Sequence, residues 1–294
     1  MDGLSVPVNT FRVLAGTGTR DLANEIAGNL GVELCKCTTS RFADGEVFVR
    51  IDENVRGADV FIVQPTNPPA ENVMELLLMI DAARRASAAR VTVAIPYFGY
   101  ARQDRKDQPR VAIGAKLMAN LIEAAGAHRV LGLDFHAHQL QGMFDLPVDH
   151  LYGAPVFTSH YRKKQLHDVV VVAPDVGSAK MARGFAKRLN GTLAIIDKRR
   201  PQANVAEVVN VVGEVEGKDC IIPDDMIDTA GTVSEAAISA WAATCPPYNG
   251  HSSAPTGTSL SPRYRSRSIS SRFSSSANVG RKGASNRCTP PMLA

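Results

Sequence analysis

The chain has 294 residues, a length that accommodates two medium-sized α/β domains or one large domain. Apolar residues make up 45% of the sequence and charged residues 21%, which is ordinary for a globular protein. No apolar stretch approaches the roughly 20 residues that a membrane-spanning helix needs. The first residues show no basic segment followed by an apolar one. We therefore expect neither a membrane segment nor a secretory signal.

The net charge of +4 comes from the C-terminal part of the chain. Residues 241–294 contain seven Lys or Arg and no Asp or Glu, so residues 1–240 carry a net charge of −3. An evenly basic chain would indicate a nucleic-acid partner; this mildly acidic body does not, and we expect none. The five cysteines are too scattered for a disulfide framework, and Cys35 and Cys37 lack a second pair that would complete a metal site. They are predicted to be packing residues of a reduced cytoplasmic protein.

Short β-branched runs alternate with longer amphipathic segments, the pattern of a parallel sheet covered by helices. The predicted elements in chain order are strand 59–63, helix 72–86, strand 90–95, helix 115–125, strand 128–134, strand 168–173, helix 178–189, strand 192–197, strand 219–222 and a helix from Thr232. In the first helix Met74, Leu77, Leu78 and Ala82 are predicted to share one face. Two similar series predict two α/β domains, 1–150 and 151–240. Residues 241–294, rich in Ser, Pro, Arg and Gly and without periodicity, are predicted to be disordered.

Ligands of such sheets bind beyond the carboxyl ends of the strands, so the polar residues found there are the ones that indicate chemistry. The clearest motif is residues 221–232, Ile-Ile-Pro-Asp-Asp-Met-Ile-Asp-Thr-Ala-Gly-Thr. A short apolar strand leads into acids and then into a small-residue turn that opens a helix. Residues 229–232 can present N–H groups and hydroxyls to a phosphate, while Asp224 and Asp225 can hold sugar hydroxyls or Mg²⁺. The alternative is a solvated acidic turn with an ordinary helix cap.

Two other segments suit a nucleotide. Residues 97–106, Tyr-Phe-Gly-Tyr-Ala-Arg-Gln-Asp-Arg-Lys, follow a predicted strand. Arg102 can clamp phosphate oxygens, and Gln103 and Asp104 can meet polar edges of the nucleotide; a solvated surface loop is the alternative. Residues 42–46, Phe-Ala-Asp-Gly-Glu, can stack on an adenine and hydrogen-bond it, although Asp-Gly is also a common turn.

Three further strand ends carry reactive side chains. His136 can ligate a metal or contact a nucleotide phosphate, although a lone histidine at a strand end is more often structural. Asp175 precedes a glycine turn and a helix, and its carboxylate suits Mg²⁺. Lys198, Arg199 and Arg200 follow an apolar strand, where cations can stabilise the charge that develops in diphosphoryl transfer. A basic patch that only improves solubility is the alternative for these three.

Together these segments resemble class I ribose-phosphate diphosphokinases, also called phosphoribosyl diphosphate synthetases. The resemblance extends from Phe11 to about Ser239 and includes residues 44–46, 53–57, 74–77, 97–106, 141–149 and 197–201. The motif at 221–232 is shared with type I phosphoribosyltransferases. The resemblance implies two type I phosphoribosyltransferase-like domains with mostly parallel sheets, the second one incomplete. It also implies a homo-oligomer (a hexamer in the family), with ATP, ribose 5-phosphate and Mg²⁺ as ligands.

The same resemblance implies roles for individual residues. ATP is bound by Asp44, Gly45 and Glu46 of a neighbouring subunit and by Arg102 and Gln103. Mg²⁺ is held by His136 and Asp175, with Asp134 a weaker candidate, and Lys198 and Arg200 match the catalytic cations. The residues that match the ribose 5-phosphate site are Asp224, Asp228, Thr229, Ala230, Gly231 and Thr232. The implied reaction is in-line attack of the anomeric hydroxyl on the β-phosphorus of ATP, with release of AMP.

The change of composition near Ala240 leaves a second hypothesis open. The chain is then an inactive or regulatory nucleotide-binding subunit of the same family, impaired by its altered C-terminal part. The strands and the Thr-His-Gly segment that the family places after the helix at Thr232 are not recognisable here. We hypothesise a reading-frame change, a splicing variant or a gene-model error near Ala240, which translation of the source DNA in the other two frames tests. An RNA-binding role for the Arg-Ser pattern is disfavoured, because out-of-frame translation often gives this composition.

Overall fold

The computed structural model describes residues 11–199, 208–226 and 231–244, together with the backbone of residues 292–293. The chain forms two compact units. The first runs to Lys163 and includes Asp225 and Met226, and the second holds the other described residues from Lys164 onward. The elements of the first unit are β1 (Phe11–Ala15), α1 (Arg20–Leu30), β2 (Cys37–Arg41), β3 (Val47–Ile51), β4 (Asp59–Val63), α2 (Glu71–Arg85), β5 (Arg90–Ile95), α3 (Gly114–Ala125), β6 (Arg129–Leu133), β7 (Val148–Leu151) and α4 (Ala154–Arg162).

Five strands of the first unit form an all-parallel sheet in the order β1-β4-β5-β6-β7. Val60 pairs with Val91 and Ile62 with Val93, and all four side chains are buried. Strands this apolar occur where helices cover both faces of a sheet. Because the five strands run in the same direction, the loops that follow them lie along one edge of the sheet, called here the carboxyl edge.

Helix α2 packs through a face that differs from the predicted one. Its buried face contains Val73, Leu76, Ile80 and Ala83, at helical spacing. Met74, Leu77, Leu78 and Ala82 do share one face of α2, but Met74 is 51% exposed, so that face is not the one buried against the sheet. Apolar residues occur nearly all round this helix, and therefore their periodicity did not single out the side that meets the sheet.

Strands β2 and β3 form an antiparallel hairpin outside the central sheet, with residues 42–46 at its tip. Strand β3 packs against α2. The hairpin therefore takes its orientation from a helix rather than from a neighbouring strand.

The second unit also contains a five-stranded sheet. Its elements are β8 (Val170–Ala173), α5 (Ala179–Leu189), β9 (Thr192–Arg199), β10 (Val208–Val212), β11 (Cys220–Ile222), α6 (Gly231–Thr244) and β12 (Met292–Leu293). The strand order is β10-β9-β8-β11-β12, and only the β10–β9 pair is antiparallel. Helix α5 packs on β8 and β9, and α6 packs on β10 and β11.

The predicted α/β class with mostly parallel sheets is confirmed. Each predicted strand and helix is present, with ends that differ by at most two residues. The prediction missed β1, α1, β2, β3, β7, α4, β10 and β12. The domain limits at residues 150 and 240 stay a prediction. The predicted disorder falls mainly on residues 245–291 and 294, which lie outside the described residues, but it is wrong for residues 241–244, which belong to α6, and 292–293, which form β12.

Two sequence expectations concern the chain as a whole. Among the helices that the structure describes, none combines the length and the apolar composition that a bilayer-spanning segment needs. Cys35 and Cys37 are free thiols, and Cys35 is buried in the core of the first unit. Burial raises the pKa of each of these two thiols from 9.0 to about 11, which keeps them protonated and unreactive at neutral pH.

Candidate active site

The tip of the β2–β3 hairpin presents Asp44, Gly45 and Glu46 to solvent. Gly45 has a φ of 96°, a conformation that favours glycine, and its N–H donates to the carbonyl of Phe42 at 3.0 Å. The N–H of Glu46 donates to Asp44 Oδ1 at 3.1 Å. Phe42 is 55% exposed and packs edge to face on Phe48, with 5.5 Å between ring centroids. The tip thus offers an aromatic ring and two carboxylates, which suit the base and the ribose hydroxyls of a nucleotide.

A buried carboxylate that the sequence patterns did not indicate anchors this hairpin. Glu75 of α2 is only 3% exposed. Its Oε1 accepts from the N–H of Thr17 at 2.9 Å and from the hydroxyl of Thr39 at 3.0 Å. Its Oε2 accepts from the hydroxyl of Thr17 at 2.5 Å and from the amide of Gln64 at 3.2 Å. Since Thr39 lies in β2, and Thr17 and Gln64 follow β1 and β4, one carboxylate ties the hairpin to two strand ends.

The loop after β5 carries Arg102 and Gln103, both exposed. This loop lies close to the neighbouring strand end, as a Cβ atom added at Gly99 would lie 2.1 Å from the carbonyl oxygen of Thr66. The N–H of Gly99 also donates to Thr66 Oγ1 at 2.7 Å. The side chain of Gln103 lies over the first residue of α3, Gly114, where a Cβ atom would be 2.6 Å from Gln103 Oε1. Gln103 therefore lies next to the positive end of a helix dipole, a favourable place for a phosphate.

The turn after β6 carries His136 and begins with a strained residue. Asp134 has a φ of 42°, and its two carboxylate oxygens accept from the N–H of Gly153 at 3.1 and 3.0 Å. Burial raises the pKa of Asp134, and the hydrogen bond from Gly153 opposes that shift. His136 is exposed, and its Nδ1 lies 2.7 Å from Oδ2 of Asp225 within the first unit. Asp134 is therefore bonded to the start of α4, whereas His136 faces solvent and a carboxylate.

The loop after β5 and the turn after β6 are in direct contact. The amide of Gln139 donates to Asp104 Oδ2 at 3.1 Å. Beneath them, Phe98 packs on Phe135 and on Phe144, with centroid distances of 5.4 and 5.8 Å. The structure thus joins the segments of Arg102 and His136, which the sequence presented as separate motifs.

A second residue without a sequence signal is His150, near the end of β7. Its Nε2 accepts from the N–H of Phe135 at 3.1 Å. Its ring lies between Phe135 and Tyr152, with centroid distances of 4.9 and 4.4 Å. Burial lowers the pKa of His150, with a smaller lowering from His138, while Asp134 raises it. A neutral imidazole is the form that accepts a backbone hydrogen bond.

The predicted residues of the second unit lie at the carboxyl edge of its sheet. Asp175 follows β8, and its Oδ1 accepts from the N–H and the hydroxyl of Ser178 at 2.7 and 2.9 Å. Asp224 follows β11 after the buried Pro223. Lys198 lies in the last part of β9, where its backbone pairs with Val209 of β10. Since β8, β9 and β11 are parallel, these strand ends point the same way.

Several predicted residues have no structural account. Arg200, Asp228, Thr229 and Ala230 lie outside the described residues, and the side chains of Lys198 and Thr232 do so as well. Gly231 is the first residue of α6 and Thr232 the second. Of the predicted phosphate-binding turn at 229–232, only the first residues of α6 are therefore described.

A magnesium site requires a small number of oxygen donors. Within the described ranges, no three or more His, Cys, Asp and Glu side chains form a metal-binding group. Mg²⁺ usually binds one or two protein carboxylates together with water and substrate phosphates, so a closed protein cage is not needed. His136 and Asp175 each expose a donor that can meet this requirement, and the carboxylate of Asp175 meets it better than the imidazole of His136 does.

Two mostly parallel sheets, each with charged residues at its carboxyl edge, define an α/β protein of the phosphoribosyltransferase-like class. Residues 11–126 match the N-terminal domain of ribose phosphate pyrophosphokinase, and residues 156–238 match the phosphoribosyl transferase domain. The chain is 56% identical over 228 residues to the ribose-phosphate pyrophosphokinase of Chlorobaculum tepidum, which covers 77% of this chain and 71% of that one. It is 55% identical over 228 residues to that of Bacillus caldolyticus, with 77% and 72% covered.

A crystal structure of phosphoribosylpyrophosphate synthetase from Mycobacterium smegmatis superposes with a TM-score of 0.73 at 42% identity, over 79% of this chain and 76% of that one. The chain belongs to the ribose-phosphate pyrophosphokinase family. The family resemblance found in the sequence is thereby confirmed. The match to the phosphoribosyl transferase domain ends at residue 238, beside the change of composition near Ala240.

Proposed function

We propose that the chain transfers diphosphate from ATP to the anomeric hydroxyl of ribose 5-phosphate, giving 5-phosphoribosyl 1-diphosphate and AMP. The observation that carries this proposal is the 56% identity over 228 residues to a ribose-phosphate pyrophosphokinase, a span long enough to include both carboxyl edges. The polar residues at those edges supply the positions that the reaction needs.

The first unit supplies the predicted ATP site. By the family resemblance, Asp44, Gly45 and Glu46 hold the adenine and ribose of an ATP bound to a neighbouring subunit. In support, the hairpin tip is exposed and stands outside the five-stranded sheet of its unit. Arg102 binds phosphate oxygens, and Gln103 hydrogen-bonds the nucleotide beside the start of α3. This assignment requires a homo-oligomer, for which a hexamer is the family expectation.

The second unit supplies the predicted ribose 5-phosphate site. The residues assigned to it are Asp224, Asp228, Thr229, Ala230, Gly231 and Thr232. The N–H groups at the start of α6 bind the 5-phosphate, and the acids hold the ribose hydroxyls so that the anomeric hydroxyl is in line with the β-phosphorus. Lys198 and Arg200 stabilise the negative charge on the transferring group and on the departing AMP.

Mg²⁺ is the proposed metal, with His136 and Asp175 as its protein contacts. When bound, it neutralises charge on the phosphate oxygens of ATP. His136 and Asp175 are then positioning groups, and neither is required to form a covalent bond to the substrate. A cytoplasmic location also stays a prediction from the sequence.

The test is the release of AMP from ATP and Mg²⁺ by the full chain, with and without ribose 5-phosphate. We expect AMP only when the sugar phosphate is present. Arg102→Ala should lower kcat/KM for ATP roughly 10- to 100-fold, the range expected when a charged hydrogen bond is lost. Arg85→Ala is the matched control, because Arg85 is 79% exposed and pairs with Asp81 one turn earlier on α2; it should leave the rate within about twofold.

The same assay, combined with calorimetry of ATP binding, distinguishes the active enzyme from the inactive or regulatory subunit of the second hypothesis. A chain that binds ATP in calorimetry but releases no AMP under any condition is the inactive or regulatory subunit. A chain that neither binds ATP nor forms AMP contradicts both proposals.

A further inference from the structure

The two residues before His136, Asp134 and Phe135, form hydrogen bonds to residues in and just after the neighbouring strand β7. The carboxylate of Asp134 accepts from Gly153, and the N–H of Phe135 donates to His150 Nε2 at 3.1 Å. Asp134 has a left-handed backbone (φ 42°), which is unfavourable for a residue other than glycine. Such a conformation persists when the surrounding bonds determine it, and here they are made by the side chain of Asp134 and by the N–H of the Asp134–Phe135 peptide.

The bond to His150 fixes the chemical form of that ring. A backbone N–H can only donate, so Nε2 of His150 must be unprotonated, and the proton of the neutral ring is then on Nδ1. The 3.4 Å contact between Nδ1 and the amide nitrogen of Gln141 is then not a hydrogen bond donated to the ring. That amide nitrogen instead donates to the carbonyl of His138 at 3.0 Å. The Phe135 bond is therefore the one that orients the ring.

Ring packing adds a second restraint. His150 lies between Phe135 and Tyr152, and Phe135 in turn packs on Phe98 at the base of the loop that carries Arg102. A shift of Phe135 would therefore move the turn of His136 and would disturb the Arg102 loop as well. His150 lies on β7, one strand from the turn after β6 and two strands from the loop after β5.

We propose that His150 is a positioning residue, which holds the Phe135 peptide and thereby aims His136 at the nucleotide or its metal. The inference rests on the proposed function, because His136 matters only if ATP binds there. It assigns to His150 no contact with substrate.

The test compares two substitutions at His150 with one elsewhere. His150→Phe keeps an aromatic ring and removes the acceptor, whereas His150→Gln removes the ring and places an amide oxygen near the position of Nε2. His128→Phe is the matched control: His128 Nδ1 accepts from the N–H of Val91 at 3.0 Å, the same bond, but before β6 and so at the opposite end of the sheet.

We expect His150→Phe to raise KM for ATP about tenfold and lower kcat about tenfold, with KM for ribose 5-phosphate changed less than twofold. The Phe135 amide should exchange its hydrogen at least tenfold faster in this variant. His150→Gln should return KM for ATP to within threefold of the wild-type value. His128→Phe should lower the melting temperature yet leave all three kinetic constants within twofold.

Other results overturn the inference. It fails if His150→Phe and His128→Phe change KM for ATP equally, or if His150→Gln is no better than His150→Phe. Should His150→Phe not fold, the Gln variant and the exchange rate of its Phe135 amide decide alone. Should the wild-type chain release no AMP, the proposed function fails separately, and calorimetric ATP affinity then decides: equal affinity in wild type and His150→Phe rejects the positioning role.

Discussion

Replacement of Glu75 by Leu should destabilise the first unit by about 4 kcal/mol. The carboxylate accepts four hydrogen bonds in a site that is 3% exposed. A buried donor that loses its acceptor costs about 1–3 kcal/mol. The backbone N–H of Thr17 loses its acceptor and cannot turn to another, so this donor accounts for roughly 2 kcal/mol of the total. Gln64 keeps its bond to the carbonyl of Asn72 at 3.3 Å, and the two threonine hydroxyls can rotate, so these three donors add about 2 kcal/mol together.

Glu75→Gln should destabilise the first unit by less than Glu75→Leu does. Its amide nitrogen can take the place of Oε2, where the hydroxyl of Thr17 can reverse and accept, so that the Thr17 N–H and Thr39 keep their oxygen. Only the bond from Gln64 is then lost, at a cost of about 1 kcal/mol. The measurement is urea unfolding followed by far-UV circular dichroism. Glu71→Gln is the control, because Glu71 on the same helix is 48% exposed and lies 3.9 Å from Arg41, a distance that gives little stability.

The reasoning is refuted if Glu75→Leu unfolds within about 1 kcal/mol of the wild type. That result would mean that apolar packing of the leucine offsets the lost bonds, as happens when both partners of a buried polar pair are replaced. It is also refuted if Glu75→Gln is the more damaging of the two. Because Thr39 ties β2 to this carboxylate, we further expect Glu75→Leu to weaken ATP binding more than ribose 5-phosphate binding.

Three further predictions follow from single contacts. Gly99→Ala should weaken ATP binding and lower stability by about 1–3 kcal/mol, because its Cβ would overlap the Thr66 carbonyl; equal melting curves and ATP affinities for variant and wild type would contradict this. Cys35 and Cys37, with pKa values raised to about 11, should react with iodoacetamide at pH 8 much more slowly in the native chain than in urea; equal rates would disprove their burial. Burial raises the folded pKa of Asp134 above 3.8, so its ionisation costs stability as the pH rises through that pKa. The stability of Asp134→Asn relative to the wild type should therefore be greatest at neutral pH and decline towards pH 4, and a pH-independent difference would refute the assignment.

The sequence predicted strands β4 and β5 but missed β2, and it also missed β3 and β10 although both are rich in β-branched residues. Strands β4 and β5 contain Val and Ile at buried positions, and their limits were predicted correctly. Strand β2 is Cys-Thr-Thr-Ser-Arg and is only partly buried, since it belongs to a hairpin that packs on a helix. Its composition resembles that of a loop, and its stability comes from contacts that no local pattern contains.

The two anchoring residues were missed for a related reason. Glu75 lies in an apolar helix, where a single acid indicates solvent exposure; its burial depends on donors from three distant segments. His150 accepts from a residue 15 positions earlier, through pairing of β6 with β7. Motif reading finds residues that are suited to a ligand, whereas residues that hold such motifs in place are defined by tertiary contacts.

The acids at the strand ends differ in a way that bears on the metal. Both oxygens of Asp134 accept from the N–H of Gly153, and its raised pKa reflects a carboxylate poorly hydrated by water. The two bonds that Asp175 accepts from Ser178 both go to Oδ1 and neither involves Oδ2. A cation gains most from an oxygen that is not already shared with a backbone donor. Asp175 is therefore the better metal contact, and Asp175→Asn should weaken Mg²⁺ binding more than Asp134→Asn does.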